Sequence, residues 1–137
     1  MPSAHLTYED FAKTVEESPQ DPFEALVREP STVYVYALTR DRCAGCETQK
    51  PLFEDLTAKM KEKYGDQVKF FSIHVSEKGD FRSKLQDFRR LLKFAAYPTY
   101  LILMRTEVGT VETYRGIEPA MNEIARNIEI AVQLAKR

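Results

Sequence analysis

Three apolar segments rich in β-branched and aromatic residues alternate with amphipathic helical patterns along this chain, and they cover residues 32–38, 68–75 and 99–104. The first of them is nearly all apolar, as suits a central strand that is covered on both faces. Helical patterns separate the segments, and strands that alternate with helices are typical of α/β domains. We therefore predict an α/β fold whose mixed central β-sheet has helices on both faces.

A short extended piece and a helix open the chain. Thr7 is followed by acidic residues, a pattern that predicts a helix N-cap, and Phe11 begins an apolar face that continues to about Ser18. A short helical piece at 23–27 follows, surrounded by three prolines. The prolines are Pro19, Pro22 and Pro30. We interpret this proline-rich stretch as an elaboration of the domain and not as a linker.

Two longer helices follow the first and second apolar segments. One begins near Cys43 and ends at Gly65, with Pro51 predicted to kink it. Its apolar residues are Leu52, Phe53, Leu56 and Met60. The other begins after Asp80 as N-cap and is predicted to end at Tyr97-Pro98. Its apolar residues are Phe81, Leu85, Phe88 and Leu92.

The C-terminal part predicts a β-hairpin and a last helix. Residues 99–104 and 110–114 should pair, because Gly109 marks a turn between them. Pro119 is predicted to lie in the first turn of the last helix. That helix carries one apolar stripe. The stripe consists of Met121, Ile124, Ala125, Ile128, Ala131, Val132 and Ala135.

Length and charge narrow the class of protein. The 137 residues suit a single domain over 1–137, and 20 basic against 21 acidic residues give a net charge of −1. This balance argues against nucleic acid or an anionic membrane as a partner. No apolar run of about 18 residues and no secretory signal pattern occur. We expect a soluble, cytoplasmic protein that is a monomer.

The two cysteines of the chain carry its chemistry. Cys43 and Cys46 stand at the junction between a buried strand and a helix, where the positive end of the helix dipole stabilises a thiolate. In a reducing compartment so short a loop would gain little from a structural disulfide. A redox pair is therefore favoured. A zinc site is the alternative, but with His5 and His74 as the other non-carboxylate candidates it would need a dimer sharing the cysteines.

Four landmarks occur in order: Cys43 with Cys46, Pro51 five residues later, Tyr97-Pro98-Thr99 at the start of a strand, and Gly109 with Gly116 in the hairpin. With this set the sequence resembles the thioredoxin-like family, and the resemblance extends from residue 5 through the last helix. It implies a thioredoxin-like fold with a C-terminal hairpin and helix. It also implies a thiol-disulfide oxidoreductase that needs no cofactor or metal.

The resemblance assigns roles to individual residues. Cys43, the more exposed cysteine, attacks a protein disulfide, and Cys46, one turn deeper, resolves the mixed disulfide. A spacing of two residues brings the sulfurs within bonding range across one helical turn. Tyr97 and Pro98 shape the substrate groove, with a cis peptide bond before Pro98. The implied partners are protein disulfides and a disulfide reductase or another dithiol donor.

Several positions depart from the best-known thioredoxins. Ala37 stands where those proteins keep a buried aspartate, so the usual proton acceptor for Cys46 is missing, and Glu47 is a candidate replacement. Arg42 replaces a tryptophan. It either favours the Cys43 thiolate by charge attraction or is a solvated surface residue.

The two residues between the cysteines also differ from the thioredoxin pattern. Ala44 and Gly45 replace Gly-Pro, and Gly45 leaves one more backbone N–H free to point at the thiolate. This dipeptide controls the redox potential in the family, so the potential here stays open. A second hypothesis also stays open, in which the chain is a binding, adaptor or redox-sensor module without general reductase activity. We assign no catalytic role to His5 or His74.

Overall fold

The structure, a computed structural model, describes residues 3–17 and 21–136. Ser18, where the apolar face of the first helix is predicted to end, and Pro19, the first of the three prolines named above, lie outside these residues. The elements in chain order are β1 (Ala4–Thr7), α1 (Tyr8–Glu17), β2 (Val33–Arg40), α2 (Ala44–Tyr64), β3 (Val68–Val75), α3 (Phe81–Leu92), β4 (Thr99–Thr106), β5 (Gly109–Ile117) and α4 (Met121–Ala135), with short 3-10 turns at Glu24–Leu26 and Gly65–Gln67.

The five strands form one mixed sheet in the order β1-β3-β2-β4-β5. β1 and β2 both pair with β3 in parallel, whereas β4 runs antiparallel to β2 and to β5. The prediction of a mixed α/β sheet with a terminal hairpin is confirmed. β2 is the middle strand of the sheet. Cys43 follows its carboxyl end and therefore lies near the middle of the row of strand ends.

Each face of the sheet carries its own apolar core. On one face the buried side chains include Phe11 of α1 and Phe88 of α3. On the other face they include Phe53 of α2 and Ile128 of α4. Helices therefore cover both faces, and the apolar stripe predicted for the last helix is confirmed because Ile124, Ile128, Ala131 and Val132 are buried there.

The predicted helix caps agree with the structure at two positions. The hydroxyl of Thr7 accepts a hydrogen bond from the backbone N–H of Asp10 at 3.0 Å. The carboxylate of Asp80 accepts one from Ser83 N at 3.2 Å. Such caps satisfy backbone donors that have no partner inside the helix.

Two predicted helix boundaries and one predicted core residue are wrong. α3 ends at Leu92 and not at Tyr97-Pro98, because Lys93 adopts a left-handed conformation and its N–H bonds to the carbonyl of Arg89. Pro119 lies before α4, since Ala120 is still extended and serves as the N-cap. Leu52 of α2 is 48% exposed and so lies outside the core. Among the described residues no helix is both long enough and apolar enough to cross a lipid bilayer.

Candidate redox site

The two cysteines form a disulfide across the first turn of α2. Cys43 is the N-cap of the helix in an extended conformation, and its Sγ accepts a hydrogen bond from the backbone N–H of Cys46 at 3.1 Å. The two Cα atoms are 5.2 Å apart. The first turn of a helix has N–H groups without intrahelical partners, so this position favours negative charge on Cys43 sulfur after reduction.

The two cysteines are nearly equally buried in the disulfide form. Cys43 is 7% exposed and Cys46 is 6% exposed. The expectation that Cys43 is the more exposed cysteine stays a prediction for the reduced form.

Tyr97 and Pro98 lie against the disulfide. The peptide bond between them is cis, and the Tyr97 carbonyl oxygen lies 3.8 Å from Cys43 Sγ. The Pro98 carbonyl accepts a hydrogen bond from the backbone N–H of Glu118 at 3.0 Å. The loop before β4 and the turn after β5 therefore form one continuous wall beside the cysteines.

The side chain of Tyr97 is fixed by α3 and its neighbours. Its hydroxyl donates to the carbonyl of Leu85 at 3.0 Å, and its ring centroid is 5.0 Å from that of Phe94. The guanidinium carbons of Arg40 and Arg89 lie 5.8 Å and 5.9 Å from the ring centroid. Burial raises the pKa of the Tyr97 hydroxyl, so it remains a hydrogen-bond donor at neutral pH.

Arg42 precedes Cys43 but directs its charge elsewhere. Its guanidinium forms an ion pair with the carboxylate of Glu77. The arginine side chain is 76% exposed. A thiolate-stabilising role for Arg42 stays a prediction, and Glu77 offsets part of the positive charge that it would supply.

The residues between the cysteines differ in exposure. Ala44 is exposed, and Gly45 is partly covered by the carboxylate of Glu118, which an added Cβ at Gly45 would overlap. The N–H that reaches Cys43 Sγ belongs to Cys46. Sequence reasoning missed Glu118, because a lone glutamate before a proline carries no signal of its position.

A cavity of about 460 Å³ lies beside Cys46 on the α2 side of the sheet, and Ala37 forms part of its wall. The small side chain of Ala37 leaves the space open. Glu47, the candidate proton acceptor, lines the same cavity but is an exposed residue. Both histidines of the chain also line it.

Both ring nitrogens of His74 have hydrogen-bond partners in the wall of this cavity. Nδ1 lies 2.8 Å from the hydroxyl oxygen of Thr39, and Nε2 lies 2.8 Å from Oδ1 of Asp41. Oδ2 of Asp41 accepts the backbone N–H of Glu77 at 2.9 Å. The hydrogen bond from His74, followed by that from Glu77, lowers the pKa of Asp41, so this carboxyl is ionised at neutral pH.

His5 belongs to a separate set of hydrogen bonds. Its Nδ1 lies 2.7 Å from the hydroxyl of Ser72, and its Nε2 lies 4.0 Å from Glu54. The Glu54 carboxylate also accepts the hydroxyl and the backbone N–H of Ser3. Within residues 3–17 and 21–136, no three side chains of the His, Cys, Asp and Glu types are grouped as a metal site would require.

Comparison with known proteins identifies the fold. No family model matches the sequence, and no curated protein matches it significantly. Solved thioredoxins do match in structure. Thioredoxin NaTrxh from Nicotiana alata has a TM-score of 0.62 and 19% identity, over 96% of this chain and 95% of that one. Thioredoxin O2 from Arabidopsis thaliana, in its oxidized state, has a TM-score of 0.59 and 17% identity, over 93% of each chain.

A third match is a thioredoxin f2, solved in complex with ferredoxin:thioredoxin reductase. It has a TM-score of 0.57 and 12% identity, over 95% of this chain and 94% of that one. The chain therefore has a thioredoxin-like fold, with its C-x-x-C pair at the start of α2. Identities this low establish the fold, while activity must be argued from the site.

Proposed function

We propose that this protein is a thiol-disulfide oxidoreductase that reduces or exchanges disulfides in other proteins. The observation that carries the proposal is the Cys43–Cys46 disulfide, which lies at the N-terminus of α2 with the Tyr97 carbonyl 3.8 Å from Cys43 Sγ. The Tyr97 carbonyl, a backbone hydrogen-bond acceptor, lies beside the cysteine pair, and the N-terminus of α2 lies beneath it. These are the two features that a site for an extended peptide disulfide needs.

The proposed reaction has two exchange steps. The thiolate of Cys43 attacks one sulfur of the substrate disulfide, which forms a mixed disulfide and releases the other substrate sulfur as a thiol. Cys46, after losing its proton, attacks the sulfur of Cys43 and releases the second substrate thiol. The substrate gains two electrons, and the Cys43–Cys46 disulfide is left behind.

The next cycle needs a source of two electrons. We propose a disulfide reductase or another dithiol donor as that partner, in the cytoplasm. The complex of a structurally similar thioredoxin f2 with ferredoxin:thioredoxin reductase supports this class of partner. The chemistry needs no cofactor, because both electrons pass between sulfur atoms.

Reduction of insulin by dithiothreitol tests the proposal. The protein should accelerate the precipitation of insulin chains, and Cys43→Ser should remove the acceleration. A wild-type protein that gives no acceleration would contradict a general reductase. The equilibrium reduction potential of the Cys43–Cys46 pair then indicates the direction of electron flow. A value of about −270 mV indicates a reductase, and one of about −120 to −180 mV an oxidant or isomerase.

A redox-sensor or adaptor module is the second candidate. The near-complete burial of both cysteines in the disulfide form favours it, because a general reductase must expose sulfur to many partners. A Cys46→Ser variant separates the two candidates by trapping. Mixed disulfides with several cellular proteins would support the oxidoreductase, whereas no captured protein would support the sensor or adaptor.

A further inference from the structure

The strand register places polar side chains on the sheet face that α2 covers. His74 of β3 lies between Thr7 of β1 and Thr39 of β2 in one row across the strands. The neighbouring row toward the interior consists of His5, Ser72 and Ala37. Cys46 of α2 lines the cavity that these two rows leave beneath the helix.

The first row forms a hydrogen-bonded chain with a defined direction. Ionised Asp41 accepts the Nε2–H of His74, and in the neutral ring this contact leaves Nδ1 as a hydrogen-bond acceptor. The hydroxyl of Thr39 then donates to Nδ1 at 2.8 Å. The lone pairs of the Thr39 oxygen stay available to a donor in the cavity.

We propose that Thr39, His74 and Asp41 form a proton relay that takes the proton of Cys46 during the resolving step. The inference rests on the proposed function, since a thiol that never resolves a mixed disulfide needs no acceptor. The cavity of about 460 Å³ has polar side chains such as Thr39, Ser72 and His74 in its wall, so it has the room and the partners that water needs to connect Cys46 with Thr39. The cavity occupies the space that a larger side chain at position 37 would fill.

The transfer balances in protons and electrons. The Cys46 S–H passes its proton to cavity water, water passes one to the Thr39 oxygen, and Thr39 passes its own hydroxyl proton to His74 Nδ1. Asp41 stabilises the imidazolium that results. The Cys46 thiolate then attacks the sulfur of Cys43, and the departing substrate sulfur leaves as a thiolate that is protonated by solvent.

Other charged groups also face this cavity. Glu9 comes from α1, Arg40 from β2, and Glu47, Lys50 and Glu54 from α2. The cations Arg40 and Lys50 favour a thiolate but have no site for a proton at neutral pH. The carboxylates of Glu9 and Glu54 are held by Lys84 and by Ser3, and Glu47 is an exposed residue.

Lys84 of α3 also lies near Asp41 and adds to the lowering of its pKa. His5 is bonded to Ser72, and its side chain is 57% exposed. The hydrogen-bonded series differs from these groups, because Thr39 donates to His74 and His74 donates to the carboxylate of Asp41. We therefore infer that this series is the acceptor.

A single-turnover reaction of the reduced protein with one equivalent of 5,5′-dithiobis(2-nitrobenzoate) tests the relay. Attack by Cys43 releases the first thionitrobenzoate, and resolution by Cys46 releases the second, so stopped-flow absorbance follows both steps. His74→Gln and Thr39→Val should slow the second release at least about tenfold at pH 7, given the usual contribution of a general base. The first release should keep its rate.

The pH profile distinguishes a relay from a structural role. In both variants the second release should recover as the pH rises past the ordinary thiol pKa of about 8.5, because hydroxide then replaces the relay. Thr39→Ser, which keeps the hydroxyl, should restore the rate at pH 7. His5→Gln, in the same cavity wall, is the matched control and should leave both releases unchanged.

Each possible result decides the question. A second release in Thr39→Val and His74→Gln as fast as in the wild type would overturn the relay, as would an equal slowing by His5→Gln. A defect that persists at pH 9.5 would also overturn it, because it would indicate altered geometry. If the wild-type protein releases a single equivalent, as Cys46→Ser must, the proposed function itself fails. Two releases with unaffected variants refute the relay alone.

Discussion

Phe88 is, with Leu92, one of the two buried residues by which α3 packs against its core. It is fully buried, and its ring centroid lies 5.4 Å from Tyr8, 5.6 Å from Phe11, 5.1 Å from Phe94 and 6.2 Å from Tyr97. Truncation to alanine removes the ring and leaves a cavity among four aromatic partners. We predict that Phe88→Ala lowers the free energy of unfolding by about 3–5 kcal/mol.

The corresponding change in melting temperature follows from chain length. An unfolding entropy of about 2.1 cal/mol/K per residue gives about 0.29 kcal/mol/K for 137 residues. The expected fall in Tm is therefore about 10–17 °C. Urea unfolding followed by circular dichroism measures the free energy, and a thermal scan of the oxidised protein measures Tm.

Leu134→Ala is the matched control for Phe88→Ala. Leu134 lies on α4 and is 43% exposed, so its truncation should cost less than about 1 kcal/mol. A loss below about 1.5 kcal/mol for Phe88→Ala, or a loss equal to that of the control, would refute the reasoning. Either result would mean that the aromatic cluster does not hold α3 in place.

Two further changes test single interactions. The buried hydroxyl of Tyr36 donates to the carbonyl of Leu26 at 2.5 Å, so Tyr36→Phe should lower the free energy of unfolding by about 1–3 kcal/mol; an unchanged urea midpoint would contradict this. The hydrogen bond from Lys84 lowers the pKa of Glu9 below 4.5, so this contact stabilises the fold above the unfolded pKa and is lost as the pH falls through the folded one. Glu9→Gln should therefore be less stable than the wild type at neutral pH and equal to it in acid; a constant difference across that range in urea titrations would argue against it.

The elements of the sheet were predictable because their signals are local. The predicted strand at 68–75 coincides with β3, where a dense run of apolar residues follows the stop at Gly65. The end of α3 was not predictable in this way. It depends on a left-handed conformation at Lys93, a residue type that gives no local sign of it.

The cysteines of the candidate site could be recognised from spacing, but the cavity beside them could not. Thr39 and His74 are 35 residues apart in sequence, and they meet because β2 and β3 pair in one particular register. A shift of that register by one residue would place the two side chains on opposite faces of the sheet. For this reason the sequence around His74 indicates only a residue at the end of a strand.

The loop before β4 has a mechanical consequence for the redox pair. Its carbonyl lies against the sulfur carried by α2, while the ring of Tyr97 is inserted among Phe88 and Phe94 on the opposite side of the sheet. Under the proposed function, the alignment of a bound peptide with the Cys43 sulfur depends on both faces of the sheet, whose buried cores share no side chains. A substitution that disturbs the packing of either core would displace the Tyr97 carbonyl from the sulfur, even where the disulfide itself stayed intact.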